Sequence, residues 1–166
     1  MEMRDWANLF VERLIRAKLA SPETIEGCSE KELVEIERKL GLKLPESYRR
    51  YMASLGKESG DFLSECGMFY PDVLLNKERA QTLLENNTDF RLKDSDFVFV
   101  ERYGYQFFYF ETSDGNANPP VLRYSERSES PILLAKSFTE AMELALADHL
   151  AIIENPTAPI VSHFTD

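Results

Sequence analysis

Apolar residues recur along this chain with two periods, and the changes of period mark its elements. Residues 3–19 place Trp6, Leu9, Phe10 and Leu14 on one helical face, with Arg4, Arg13, Arg16 and Lys18 largely elsewhere, until Ser21-Pro22 breaks the pattern. Ser29 and Glu32 have capping-box spacing, in which each side chain satisfies an orphan amide of a starting helix. Leu33, Ile36 and Leu40 then recur at helical spacing, and Gly41 suits the position just past a helix end. Pro45 fits the first turn of a second helix, whose apolar stripe is Tyr48, Tyr51, Met52 and Leu55, with Gly56 at its end. Two amphipathic helices joined this closely predict a helical hairpin over 30–40 and 46–55, the most buried helical unit of the fold.

Lys57 to Pro71 reads as a loop. Its glycines lack the spacing of a phosphate-binding loop, and no Gly-Lys-Ser/Thr follows. Val73-Leu74-Leu75 suggests a short strand, and Asn76 suits the N-cap of a helix to about Glu85 with Ala80, Leu83 and Leu84 inward. From Phe97 to Glu111 the period falls to two, and Tyr103-Gly104 interrupts it, which predicts an antiparallel hairpin. Both faces of that hairpin are apolar, so either the fold covers both or the outer one meets a partner; coverage is the simpler expectation. Val121 to Tyr124 suits a third strand, and Ile132–Ala135 is a short apolar segment. Ser137 and Glu140 repeat the capping-box spacing and open a helix over 138–153, with Phe138, Ala141, Met142, Ala145 and His149 on one face. Asn155-Pro156 stops it, and the short tail 155–166 is expected to be disordered. The expectation is one α+β domain, residues 1–166 with a core at 25–153, built as a single antiparallel or mixed sheet packed against several helices.

The 166 residues suffice for one core, and 43% hydrophobic with 29% charged residues fits a soluble globular chain. No apolar run approaches the roughly 20 residues of a membrane helix. Glu2, Asp5 and Glu12 interrupt any signal-peptide pattern. Cys28 and Cys66 are read as reduced thiols, which points to the cytoplasm. The net charge of −10 is unevenly placed: residues 1–60 hold 11 acidic and 11 basic side chains, leaving 18 acidic and 8 basic for 61–166. That field disfavours direct contact with nucleic acid and attracts a basic protein, although it also serves simple solubility.

Candidate chemistry is sparse. There is no HExxH, CxxC, GxSxG or Walker-type motif, no metal-ligand spacing and no sign of a cofactor. His149 and His163 are the only histidines. Cys66 has no histidine near it in sequence. Asp94/Asp96 and Glu126/Glu129 lie among Arg91, Lys93 and Arg127, as solvated loop charges do. A non-enzymatic binding role is expected.

The run Ile36-Glu37, Leu40-Gly41, Leu44-Pro45, Tyr48-Arg49, Leu55-Gly56 resembles the signature of the SMI1/KNR4, or SUKH, superfamily. FVFVERYGYQFFYFET, NPPVLRYSE and KSFTEAMELAL follow in that family's order, so the resemblance covers about residues 25 to 150. The stretch 57–96 departs from it like an insert, and Leu55-Gly56-Lys57 stands where Asn-Gly is often seen. The resemblance implies an immunity protein that binds and neutralises a cognate polymorphic toxin, often a nuclease, encoded beside it. Its alternative is a scaffold of the eukaryotic SMI1/KNR4 type. The charge partition points to a basic protein partner, with Glu58, Asp61, Glu65, Asp94, Asp96, Glu101, Glu111 and Asp114 and the aromatic anchors Tyr103 and Tyr105 as the expected contact surface.

Overall fold

The computed structural model describes residues 2–157. Helix α1 (Met3–Arg16) leads through a 3-10 turn at Pro22–Thr24 to strand β1 (Ile25–Glu26), then to α2 (Glu30–Leu40), α3 (Glu46–Leu55) and β2 (Glu58–Ser59). A second 3-10 turn, Asp72–Leu75, runs into α4 (Asn76–Asn87). Strands β3 (Asp96–Arg102), β4 (Gln106–Glu111), β5 (Val121–Ser125) and β6 (Ile132–Ala135) follow, and α5 (Phe138–Glu154) closes the described chain. The four long strands form one antiparallel sheet in the order β3-β4-β5-β6. The fold class is the expected α+β, but there are two sheets, because β1 and β2 pair separately. Two residues are too few to show alternation, and this ladder is set by backbone bonds such as Lys57 N–H to the Glu26 carbonyl at 2.9 Å. The tail beyond 157, with His163, lies outside the described residues.

Local chemistry explains most boundaries. Ser29 Oγ accepts from the Glu32 amide at 3.2 Å while Glu32 Oε2 accepts from the Ser29 amide at 2.8 Å, so both halves of the capping box are made. At α5 only one half is: Ser137 Oγ accepts from the Glu140 amide, but the Glu140 carboxylate reaches the amide of Lys136 instead. Residues 73–75 form a turn and not a strand, three adjacent apolar residues being ambiguous without a period. Asn76 is the first residue of α4 and not its cap; its buried side chain donates to the Gly67 carbonyl. In α1 the buried set is Trp6, Ala7, Phe10 and Leu14, while Leu9 faces solvent and the helix stops at Arg16.

The core centres on α3. The Tyr48 ring lies 5.0–6.2 Å from Phe97, Phe99, Phe110 and Phe138, all at steep angles, so one helix residue ties the edge strand β3 and its neighbour β4 to α5. Its partner α2 contributes only Leu33 and Ile36 fully, and Leu40 is half-buried, so the helical hairpin is unequally sunk. The close approach of α3 to the β1–α2 link depends on Gly27, where a Cβ would stand 1.8 Å from the Ala53 carbonyl oxygen. The opposite sheet face holds a second, smaller cluster: Val98, Phe107, Tyr109 and Tyr124 under Ala80, Leu83 and Leu84 of α4. Both faces of the hairpin are therefore covered, which accounts for its doubly apolar pattern.

Candidate functional site

The ten contact residues expected from sequence do not form one patch. Antiparallel pairing places Asp96 opposite Glu111 at one end of the β3–β4 hairpin and Arg102 opposite Gln106 at the other. Six strand steps separate those ends, about 20 Å at ~3.3 Å per residue. Asp94, Asp96, Glu111 and Asp114 belong to the first end, Glu101, Tyr103 and Tyr105 to the second. Glu58, Asp61 and Glu65 lie on β2 and the loop after it.

At the first end most acidic groups are occupied by the fold itself. Asp96 is only 2% exposed, and its carboxylate accepts from the Lys93 amide at 2.8 Å, closing the turn that enters β3. Burial pushes its carboxyl up, opposed by that hydrogen bond and the Lys93 charge. Asp96 thus caps a turn and offers little surface to a partner. Burial also disfavours charge on Glu111, but Lys93 and the hydroxyl and amide groups at Ser95 and Ser113 outweigh it and hold the carboxyl well below the usual range. Asp94 and Asp114 remain exposed. Here a groove of about 930 Å³ opens between the end of α2 and this loop cluster, lined by Val34, Arg38, Lys43, Lys77 and Asp94 among others. Its mixed charges favour neither sign of ligand.

The second end is organised differently. The turn Arg102–Tyr105 closes with the Tyr105 amide on the Arg102 carbonyl at 3.1 Å, and both central residues have positive φ, Tyr103 at 49° and Gly104 at 74°. Glycine adopts that conformation freely, whereas for a tyrosine it costs about 1–2 kcal/mol. Tyr103 is 66% exposed, its ring stacked on Tyr105 with centroids 6.4 Å apart. Glu101 is pinned beside it: its backbone pairs with Gly67, and its carboxylate accepts from the Gly104 amide at 2.5 Å. The Glu126 amide donates to the Tyr105 carbonyl at 2.7 Å, which sets a second carboxylate next to the turn. Between this tip and the polar face of α4 lies a cleft of about 570 Å³, lined by Arg79, Thr82, Leu83, Asn86, Asn87, Glu101, Tyr103, Gly104 and Glu126.

The loop after β2 approaches the same end, since Gly67 bonds Glu101 and both Glu65 and Glu101 act on the Cys66 thiol. This loop is clasped from below: the Leu63 amide donates to His149 Nε2 at 3.3 Å, and the His149 ring lies 5.2 Å from that of Phe62. Glu58, Asp61 and Glu65 are exposed along it. Of these, Glu65 is the one tied to the hairpin tip, since it and Glu101 both act on Cys66, whereas Asp61 lies beside Leu19 and Ala20, and Glu58 pairs opposite Glu26. Glu126, which resembles a solvated loop charge in sequence, and the polar face of α4 both border the tip cleft. Only the register of Gln106 against Ser125 brings residue 126 beside the hairpin turn.

Both thiols are poor nucleophiles here. Burial pushes Cys28 up to about 12 and Cys66 to about 11, so neither holds thiolate at neutral pH. Among the described residues no group of His, Cys, Asp and Glu has a metal-binding arrangement, and no helix is long and apolar enough to cross a membrane.

Residues 27–144, more than half of the chain, match the family model described as SMI1 / KNR4 family (SUKH-1). The stretch 57–96 falls inside that match. No curated protein matches the chain.

Proposed function

The chain belongs to the SMI1/KNR4 (SUKH-1) family, and on that premise we propose that it is a non-catalytic binding protein that neutralises a basic protein toxin in the cytoplasm. The observation that supports this most is the arrangement at the hairpin tip. Glu101 and Glu126 are fixed by backbone bonds on either side of a strained, solvent-exposed tyrosine, and neither takes part in an ion pair among the described residues. Organised acidic groups with an aromatic anchor suit capture of a cationic surface: charge steers the encounter and the ring supplies buried area at low entropy cost. Nuclease toxins present such surfaces, because their own substrate is a polyanion. The contact surface is Glu65, Glu101, Tyr103, Tyr105 and Glu126 at the tip, with Glu58 and Asp61 nearer β2 and Asp94 and Asp114 at the far end as separate contributions.

The test is co-expression with the catalytic domain of the toxin encoded beside it. Cells should survive only when this protein is present, and the two chains should co-purify. Survival without it, or protection with no complex, would overturn the reading.

A further inference from the structure

We propose that the cleft between the β3–β4 turn and α4 receives a single arginine side chain of the partner, with its guanidinium against the Tyr103 ring and between Glu101 and Glu126. The proposal rests on the binding role above for the source of that arginine, but its chemistry is carried by the cleft itself.

Three observations converge on this occupant. First, the cleft carries a net negative charge, two carboxylates against one cation that is shared with Asp72 outside the lining and also lies in the field of Glu101. Its one lining cation, Arg79, is turned to Asp72, with Nη1 and Nη2 on the two carboxylate oxygens at 2.9 and 3.1 Å. Arg127 follows Glu126 in sequence but does not line the cleft. Second, the acceptors are already in place. Glu101 spends one oxygen on the Gly104 amide and is held at its backbone by Gly67, so little side-chain freedom is lost when a cation arrives. Third, the wall includes an exposed aromatic face, and a planar cation stacks there with about 0.5–1 kcal/mol of attraction even at an open site.

Arginine fits these groups better than lysine. A guanidinium is flat enough to lie on a phenol ring, and its five N–H donors can serve two separated carboxylates together with the side-chain oxygens of Thr82, Asn86 or Asn87. A lysine ammonium is strongly hydrated and would satisfy one carboxylate at a time. The methylene stem would meet only the small exposed edge of Leu83, most of which is buried in the core under α4.

The experiment uses the full chain and three peptides: acetyl-Gly-Arg-Gly-amide, its lysine counterpart, and its citrulline counterpart, which has nearly the shape of arginine without the charge. Binding is followed by amide NMR shifts at low salt. Saturable shifts should be centred on Gly104, Glu126 and the side-chain amides of Asn86 and Asn87, strongest for arginine, weaker for lysine and absent for citrulline. Tyr103→Asn, which suits the positive φ of the turn, should weaken arginine binding by roughly threefold, the equivalent of a lost cation–π contact. Glu101→Gln keeps an acceptor for Gly104, and together with Glu126→Gln it should abolish the preference over citrulline. Equal shifts with citrulline, shifts scattered over the acidic surface, or full binding by Y103N would each overturn the proposal. Arginine binding at the tip in a protein that fails to protect cells would support the cleft and sink only the neutralising role.

Discussion

Tyr48 and Tyr51 show how one atom can work against an otherwise well-packed residue. Both rings sit in the aromatic centre of the core, yet their hydroxyls are buried with no hydrogen-bond partner among the described residues. A buried polar group without a partner costs about 1–3 kcal/mol. Tyr48→Phe and Tyr51→Phe should therefore raise the denaturation midpoint, by about 1 kcal/mol each, whereas Tyr48→Ala should lose about 3–5 kcal/mol through cavity formation. A Phe variant that is clearly less stable would mean the hydroxyl is satisfied. Tyr103 is the reverse case, a residue badly suited to its backbone. Tyr103→Asn creates Asn-Gly, the dipeptide this kind of turn prefers, and should stabilise the fold by about 0.5–1 kcal/mol in urea unfolding while weakening partner binding. Lower stability instead would show that stacking on Tyr105 outweighs the strain. At this scale the caps at Ser29 and Ser137 were legible, because they depend on neighbours in sequence. Asp96 was not, since an aspartate that closes a turn and one that faces water look alike until burial separates them.

Among the elements, those with a clear period were readable almost to the residue: α2, α3, α5 and the β3–β4 hairpin. The β1–β2 ladder was not, for two residues have no period, and neither was the role of α4 as the cover for the outer sheet face. The clasp between α5 and the loop after β2 was equally hidden, because it joins Leu63 to His149 across 86 residues, about half of the chain. It has a pH signature. Burial lowers the His149 pKa from its ordinary value near 6.5, against the pull of Asp148, Asp61 and Glu65, so the folded ring stays neutral and accepts from the Leu63 amide. The unfolded chain binds that proton more readily. Between the lowered folded pKa and about 6.5 the unfolded state holds more protons, so stability should fall as pH drops through that window and be fully restored above it. Thermal unfolding of the wild type and His149→Gln across pH 5 to 8 checks this. An unchanged slope in the variant would assign the acid sensitivity elsewhere. Amide exchange at Leu63 should quicken over the same window, since a protonated Nε2 can no longer accept.

For the whole molecule, the charge partition was visible by counting, but its shape was not. All of the −10 lies after residue 60, yet strand register sends those carboxylates to two ends of one hairpin about 20 Å apart. That separation is more than twice the Debye length of ~8 Å at physiological ionic strength, so the two ends act on an approaching partner almost independently. At the far end Lys93 is paired with Glu111 and Lys77 bonds the Lys93 and Asp94 carbonyls, which dilutes the field there. At the tip Arg79 is shared with Asp72 and lies in the field of Glu101, and Glu101, Glu126 and Glu65 make no ion pair among the described residues. Steering should therefore come mainly from the tip. Charge reversal at Glu65, Glu101 and Glu126 should slow association with a basic partner about tenfold or more at 50 mM salt, and the gap should shrink as salt rises towards 500 mM. Reversal at Asp94 and Asp114 should change the rate by less than about twofold. Stopped-flow association at both salt concentrations measures this directly. Equal effects from the two sets would mean that net charge alone guides the encounter, and a larger effect from Asp94 and Asp114 would move the contact surface to the groove beside α2.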